Sequence, residues 1–292
     1  MQATQPTRLR WGASLSQHMN EAPQFRLNPF DGRLPVFNPL YSASGFVVGA
    51  LVGLTGVGGG SLMTPLLVLL FGVHPATAVG TDLFFAAITK TGGTLAHAAS
   101  CTVDWRITRR LATGSVPAVA ATLFLMSRLG HSVDAAGQLI TTVLGFALIL
   151  TAMALVFRQK ILDYFADRVG ELDERQVRPL TVLLGAAVGV LVTLSSVGAG
   201  AIGVTVLLML YPRLPVARIV GSDIAHAVPL TLVAGVGYWI LGSTDWVLLG
   251  SLVVGSLPGV IIGSFVAARA PDWVLRPILA TALVLIGGRL AL

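Results

Sequence analysis

The stretch Gly56-Val57-Gly58-Gly59-Gly60-Ser61 interrupts an apolar run that extends from Gly45 to Phe71. The run is long enough to span a bilayer, for which a helix needs about 20 apolar residues. The four glycines near its middle disfavour a continuous helix. Backbone that lacks helical hydrogen bonds is tolerated at membrane depth only where protein buries it or where it lines a wet cavity. The stretch is therefore a candidate binding site.

The same pattern occurs a second time in the chain. When the chain is aligned with itself, small and polar residues of the first half match residues of the second, with a single-residue shift in register just before Gly80. The matched pairs are Gly45 and Gly185, Gly49 and Gly189, Gly58 and Gly198, Gly60 and Gly200, Asp82 and Asp223, Asp104 and Asp245, and Gly114 and Gly255. Matched breaks in two halves of a membrane protein indicate a transporter site.

The composition is that of an integral membrane protein. Of the 292 residues, 54% are hydrophobic and 11% are charged, and the mean hydropathy is +0.82, whereas soluble domains carry about 25% charged residues. The net charge of +6 does not indicate nucleic-acid binding, because the basic residues cluster in the tail and loops without a stripe of base-stacking aromatic side chains. Cys101 is the only cysteine in the sequence, which excludes an intrachain disulfide and a cysteine-based metal site.

The predicted fold class is an all-α polytopic membrane protein with two homologous four-segment repeats, each with a glycine-broken first segment. A flexible polar tail covers 1–44, the first transmembrane repeat 45–157, a charged linker 158–178 and the second transmembrane repeat 179–292. The predicted apolar segments cover approximately 45–71, 76–98, 109–128, 135–157, 180–211, 216–241, 246–268 and 273–291.

Two topologies agree with the distribution of basic residues. If all segments cross and both termini lie inside, twelve Lys and Arg residues lie on the inner side and five on the outer side, as the positive-inside tendency expects. If the two glycine-broken segments are re-entrant and the N-terminus lies outside, the count is the same, and one half is inverted relative to the other. We favour eight crossings, because a polar tail without a signal peptide is difficult to translocate.

Charged and titratable residues inside apolar segments are costly in lipid and are therefore functional candidates. Asp82 and Asp223 occupy matched positions, where each either supports its glycine break by accepting backbone N–H groups or carries a proton that is coupled to transport. Lys90 has no charged counterpart, and it either pairs with an acid or attracts an anion. His97 and His226 do not correspond in the repeat, and each is a polar packing residue or a proton carrier.

The residues that follow each break predict an anion site, because a helix that starts there presents free N–H groups and its positive end. The predicted substrate-binding residues are Gly58, Gly59, Gly60, Ser61, Thr81, Lys90, Gly198, Gly200, Ala201 and Ser222. Small-residue helix packing is the competing explanation, and it suits Gly45, Gly49 and Gly53, which are spaced by four residues, better than the dense run. The sequence has no P-loop, no Gly-x-Ser-x-Gly elbow and no metal-ligand spacing, so neither catalysis nor a cofactor is predicted.

Residues 53–66, with the sequence GLTGVGGGSLMTPL, and residues 74–82, with the sequence HPATAVGTD, resemble the signature of the sulfite exporter TauE/SafE family. The second copy, Val197-Gly198-Ala199-Gly200 followed by Gly221-Ser222-Asp223, is similar to the duplicated form of that family. The resemblance covers about residues 45–292. It implies a multi-pass secondary transporter of a small sulfur-containing anion, such as sulfite, a sulfonate or sulfoacetate, in the bacterial inner membrane.

We therefore expect alternating access around an anion that is held between the two breaks. An anion channel and an importer of organosulfur anions are the alternatives. The expected partners are a small anionic sulfur compound and the lipid bilayer, without nucleic acid, and the sequence leaves open whether the protein forms a homodimer.

Overall fold

The computed structural model describes residues 39–55, 60–129, 133–166, 173–198, 200–267 and 272–291. These residues form ten α-helices and no β-strand, which confirms the predicted all-helical fold in this part of the chain. The helices are α1 (Pro39–Thr55), α2 (Gly60–Phe71), α3 (Pro75–Ala99), α4 (Trp105–Leu129), α5 (Val133–Ala166), α6 (Glu174–Ser195), α7 (Ala201–Leu210), α8 (Val216–Ile240), α9 (Trp246–Ala267) and α10 (Asp272–Ala291).

Among the described helices, five are long and apolar enough to cross a membrane, namely α4, α5, α6, α8 and α9. Large apolar side chains such as Phe124, Leu183 and Ile240 are exposed on their outer surfaces, as expected for helices that face lipid rather than water. Helix α3 has 25 residues, which is also enough for a crossing, but it carries the charged residues Asp82 and Lys90. The protein is therefore a multi-pass membrane protein.

Three predicted boundaries differ from the structure. Helix α1 begins at Pro39, so residues 39–44 belong to a helix and not to the polar tail. Helix α5 continues to Ala166 and α6 begins at Glu174, so both ends of the predicted linker are helical. The rest of the predicted tail, over 1–38, and the middle of the linker lie outside the described residues.

Each glycine-broken segment folds back on itself, so the prediction that it crosses the membrane once is wrong. A straight helix would place residues about 30 positions apart at a distance of about 45 Å. Instead, the ring centroids of Tyr41 and Phe71 are 4.9 Å apart, and Thr181 Oγ1 lies 2.8 Å from the hydroxyl oxygen of Tyr211. Helices α1 and α2, and likewise α6 and α7, form hairpins that return to the side on which they begin, as in the re-entrant alternative.

The hairpins reverse the predicted side of one loop, and a labelling experiment tests this. Between positions 101 and 241 the chain passes α4, α5, the second hairpin and α8, which makes an odd number of crossings if the hairpin returns. Cys101 is exposed, and Leu241 is 40% exposed at the end of α8. We expect Cys101, and Leu241→Cys in a Cys101→Ser background, to react with a membrane-impermeant maleimide from opposite sides of sealed vesicles. Reaction of both from the same side would restore eight crossings.

Two helix pairs, α1 with α9 and α4 with α6, approach so closely that their contacts require glycine. A Cβ atom added at these glycines would overlap a backbone carbonyl of the other helix, at Gly45 on Leu252, Gly255 on Ser42, Gly185 on Leu111 and Gly114 on Val182. Gly49 meets the backbone of Ser256 in the same way, so the small-residue packing predicted for Gly45 and Gly49 is confirmed. Each pair joins the first helix of one predicted repeat to the fourth helix of the other.

Candidate functional site

The second hairpin breaks at Ser196, where the chain leaves α6. Ser196 has a left-handed backbone with φ of 57°, and Gly198 has φ of 110°, which glycine adopts more readily than any other residue. The Ser195 hydroxyl stabilises this turn, because its Oγ accepts the Val197 N–H at 3.2 Å and donates to the Leu191 carbonyl oxygen at 2.7 Å. Hydrogen bonds thus fix the turn with which α6 ends at this break.

The first residues of α2 and α7, which follow the two breaks, include backbone N–H groups that are predicted to bind the anion. Helix α7 begins at Ala201, and Gly200 before it supplies no side-chain cap for the first N–H groups of the helix. These groups have no partner within the helix itself. In the first hairpin, α2 begins with Gly60 and Ser61, but their side-chain environment, and Gly58 and Gly59 entirely, lie outside the described residues.

Asp82 lies on α3 and is fully buried. Its Oδ2 accepts a hydrogen bond of 2.5 Å from the Thr64 hydroxyl of α2. Its Oδ1 has no hydrogen-bond partner among the described residues. The buried Ser196 hydroxyl is close enough to interact with the Asp82 carboxyl group, but the two do not meet in hydrogen-bonding geometry. Asp82 therefore brings α2, α3 and the broken end of α6 together.

Lys90 lies on the same helix and is partly exposed. Its ammonium group interacts electrostatically with Asp223 of α8 and, more weakly, with Asp82. Asp223 is 4% exposed. Its Oδ1 lies 2.6 Å from the position that a Cβ atom of residue 203 would take, so the carboxyl group packs closely on Gly203. The structure thus brings Asp82, Lys90 and Asp223 into one polar group that connects the two halves of the chain.

The two predicted histidines occupy different places. His226 is buried on α8, its Nε2 is 2.8 Å from Ser115 Oγ, and its Nδ1 has no partner among the described residues. His226 also interacts electrostatically with Lys90, so it belongs to the polar group. His97 lies near the end of α3. Its Nδ1 is 2.8 Å from the Thr102 hydroxyl oxygen, so its side chain stabilises the turn that follows the helix.

The predicted hydroxyl ligands Thr81 and Ser222 are buried next to the two acids in sequence, but their oxygen atoms hold loops. Thr81 Oγ1 accepts the backbone N–H of Asp245 at 3.1 Å. Ser222 Oγ accepts the backbone N–H of Asp104 at 2.8 Å. The two bonds correspond in the alignment of the two halves, and each joins one half of the chain to the other. Ser222 also donates its hydroxyl hydrogen to the Arg218 carbonyl oxygen at 2.7 Å.

Ser115 and Gly203 belong to the polar group and were not predicted as site residues. Ser115 is fully buried against His226. Its sequence did carry a signal, because Gly114-Ser115 matches Gly255-Ser256 in the second half. Gly203 carried none, since its role depends on the approach of Asp223 from another helix.

A separate cavity of about 640 Å³ lies at the end of the bundle where the second hairpin closes. Its charged lining includes Arg110, which donates a hydrogen bond of 2.6 Å to Glu174 and one of 3.3 Å to the Tyr211 hydroxyl. None of the predicted site residues lines this cavity. Within the described ranges, no three His, Cys, Asp or Glu residues form a group that suits a metal ion.

Comparison with known proteins gives one family and several relatives. The family described as "Sulfite exporter TauE/SafE" matches residues 41–290. The chain is 36% identical over 215 residues to "Probable membrane transporter protein YjnA" of Bacillus subtilis, covering 72% of this chain and 82% of the relative. It is 29% identical over 206 residues to "Probable membrane transporter protein YdhB" of the same organism, covering 70% and 80%. No solved structure matches the chain.

Proposed function

The chain belongs to the sulfite exporter TauE/SafE family, and from that premise we propose that it is a secondary transporter of a small sulfur-containing anion. The substrate class is sulfite or a short sulfonate, and the location is the bacterial inner membrane. Relatives named as probable membrane transporters support transport as the general activity. Lys90 and the family description both favour an anionic substrate.

The observation that carries the proposal is the position of Lys90 inside the helix bundle. A lysine in a membrane segment is costly and is retained where it pairs with an acid or meets a substrate. Lys90 interacts with two acids from two halves of the chain and is still partly exposed. Asp223, with which Lys90 interacts, packs on Gly203 in the first turn of α7, so an anion near Lys90 would also be attracted by the uncapped N–H groups at the start of that helix.

Alternating access is supported by the matched contacts between the two halves. Hairpins that return, followed by three long helices, make the halves inverted repeats, which are common in secondary transporters. The glycine contacts join α1 to α9 and α4 to α6. The rigid bodies that move against each other are therefore these mixed pairs and not the two repeats as such.

Radiolabelled sulfite flux into proteoliposomes tests the proposal. We expect saturable uptake that unlabelled sulfite on the opposite side accelerates, with sulfate, thiosulfate and short sulfonates compared as competitors. Exchange of this kind requires a carrier that returns loaded. Absence of flux for labelled sulfite and for a labelled short sulfonate would contradict the substrate class. Single-channel currents in planar bilayers would show that the protein is a channel and not a carrier.

A further inference from the structure

Three buried oxygen-bearing side chains meet at the broken end of α6. They are Thr64 of α2, Asp82 of α3 and Ser196, with relative exposures of 0%, 0% and 6%. Thr64 donates its hydroxyl hydrogen to Asp82 Oδ2. Asp82 Oδ1 and Ser196 Oγ have no hydrogen-bond partner among the described residues. A buried polar atom without a partner costs about 1–3 kcal/mol, and a ligand at the Asp82 carboxyl group, which the Ser196 hydroxyl approaches, would supply the partner that Oδ1 lacks.

The polarity of this cluster selects a cation. Ser196 caps the C-terminal end of α6, where the helix dipole is negative and the last carbonyl groups have no partner within the helix. The Asp82 carboxylate adds a formal negative charge beside it. An anion is repelled by both, whereas in secondary transporters the ends of broken helices and their unwound carbonyl groups coordinate Na⁺ or protons.

The charges of the polar group also leave one positive charge to be supplied. Lys90 interacts electrostatically with both Asp223 and Asp82, and its single positive charge cannot balance two carboxylates. When both acids are ionised, one negative charge remains in a low-dielectric interior, where it opposes the binding of an anion to Lys90. A monovalent cation at Asp82 removes that opposition.

We propose that Asp82, Thr64 and Ser196 hold a Na⁺ ion whose binding is required for the anion to bind beside Lys90. This coupling rests on the proposed function, and it makes the protein a symporter that moves the anion in the direction of the Na⁺ gradient. When the ion binds, the Thr64 hydroxyl oxygen and the Asp82 carboxylate both coordinate it. The Ser196 hydroxyl oxygen is the third side-chain ligand.

The chain offers one such set and not two. In the alignment of the two halves, Ser196 corresponds to Gly56 and Thr64 corresponds to Val204, and neither Gly56 nor Val204 has a hydroxyl group. Asp223, which is the counterpart of Asp82, has Gly203 and Lys90 as neighbours instead. The two acids are therefore equivalent in position and different in their neighbours, which predicts one Na⁺ per chain.

Thermal stability in NaCl against choline chloride, at equal ionic strength, measures Na⁺ binding without any anion substrate. We expect Na⁺ to raise the melting temperature of the purified protein, and Asp82→Asn to lose this response. Ser196→Gly and Thr64→Val should each raise the half-saturating Na⁺ concentration about tenfold, as the loss of one good ligand does. Glycine fits the left-handed backbone at 196, so Ser196→Gly removes the hydroxyl without adding strain.

The matched control is Thr193→Val, because Thr193 is a buried threonine of α6 whose hydroxyl donates to the Gly189 carbonyl oxygen of its own helix. It should keep the wild-type Na⁺ response. A wild-type melting temperature that does not depend on Na⁺, or an unchanged response in Ser196→Gly and Thr64→Val, would overturn the site. So would full sulfite flux driven by a pH gradient in vesicles without Na⁺. Na⁺ binding that persists while no sulfur anion moves would leave this site standing and refute the proposed substrate.

Discussion

Replacing Lys90 with glutamine should reduce anion flux in proteoliposomes by at least about 100-fold. Two opposite charges about 4 Å apart at an effective dielectric constant of about 20 attract each other by about 4 kcal/mol. Loss of roughly two thirds of that attraction already gives a factor of about 100. Glutamine keeps much of the length of the side chain and a hydrogen-bond donor, so the variant removes mainly the charge.

The folding of this variant needs its own control, because Lys90→Gln leaves Asp223 without a charged partner. Removal of one member of a close buried pair destabilises proteins by about 3–5 kcal/mol, and we expect a smaller loss here, because Lys90 is partly exposed and interacts with Asp223 without a close ion pair. The double variant Lys90→Gln with Asp223→Asn removes both charges, and we expect it to melt close to the wild type while flux stays at the level of the single variant. Lys160, the other lysine of the chain, is exposed near the end of α5, and Lys160→Gln should transport at the wild-type rate. Wild-type flux in the double variant would remove Lys90 from the anion site.

The hairpins show where prediction from the sequence reaches its limit. Hydropathy and length are the same for a segment that crosses a membrane and for two half-helices that return. The deciding contacts, Tyr41 with Phe71 and Thr181 with Tyr211, join residues far apart in the chain. They do occupy equivalent positions when the two halves are aligned. The repeat pattern therefore predicted that the two breaks behave alike, but not in which direction the chain continues.

The residues of the polar group were also predictable only in part. The sequence identified Asp82, Lys90, Asp223 and His226, because charge and titratable groups in apolar segments stand out from their surroundings. It assigned the hydroxyls of Thr81 and Ser222 to the substrate, and the structure adds that both accept backbone N–H groups from loops of the opposite half. Only tertiary structure places those loops, so local patterns do not show these contacts.

The glycines between helices give a second large effect, on stability rather than transport. Gly114→Ala places a methyl group against the backbone carbonyl of Val182, and Gly255→Ala places one against that of Ser42. Backbone atoms cannot relieve the overlap by a change of rotamer, as a side chain can. The two helices of each pair therefore have to move apart. Overpacking of this kind costs about 1–3 kcal/mol or more. We expect both variants to lose several degrees in melting temperature and most of their folded yield in detergent.

Gly92→Ala is the matched control, because a Cβ atom at Gly92 has no neighbour within 4 Å. Alanine in a helix is favoured over glycine by up to about 1 kcal/mol, so this variant should melt at or above the wild-type temperature. Gly114 and Gly255 correspond in the two halves, and equal losses in their variants follow if α4 with α6 and α1 with α9 are equivalent rigid pairs. A loss confined to one variant would mean that the two pairs are packed differently. If both variants melted at the same temperature as Gly92→Ala, neither helix pair would be in close contact. The rigid bodies proposed for alternating access would then be wrong.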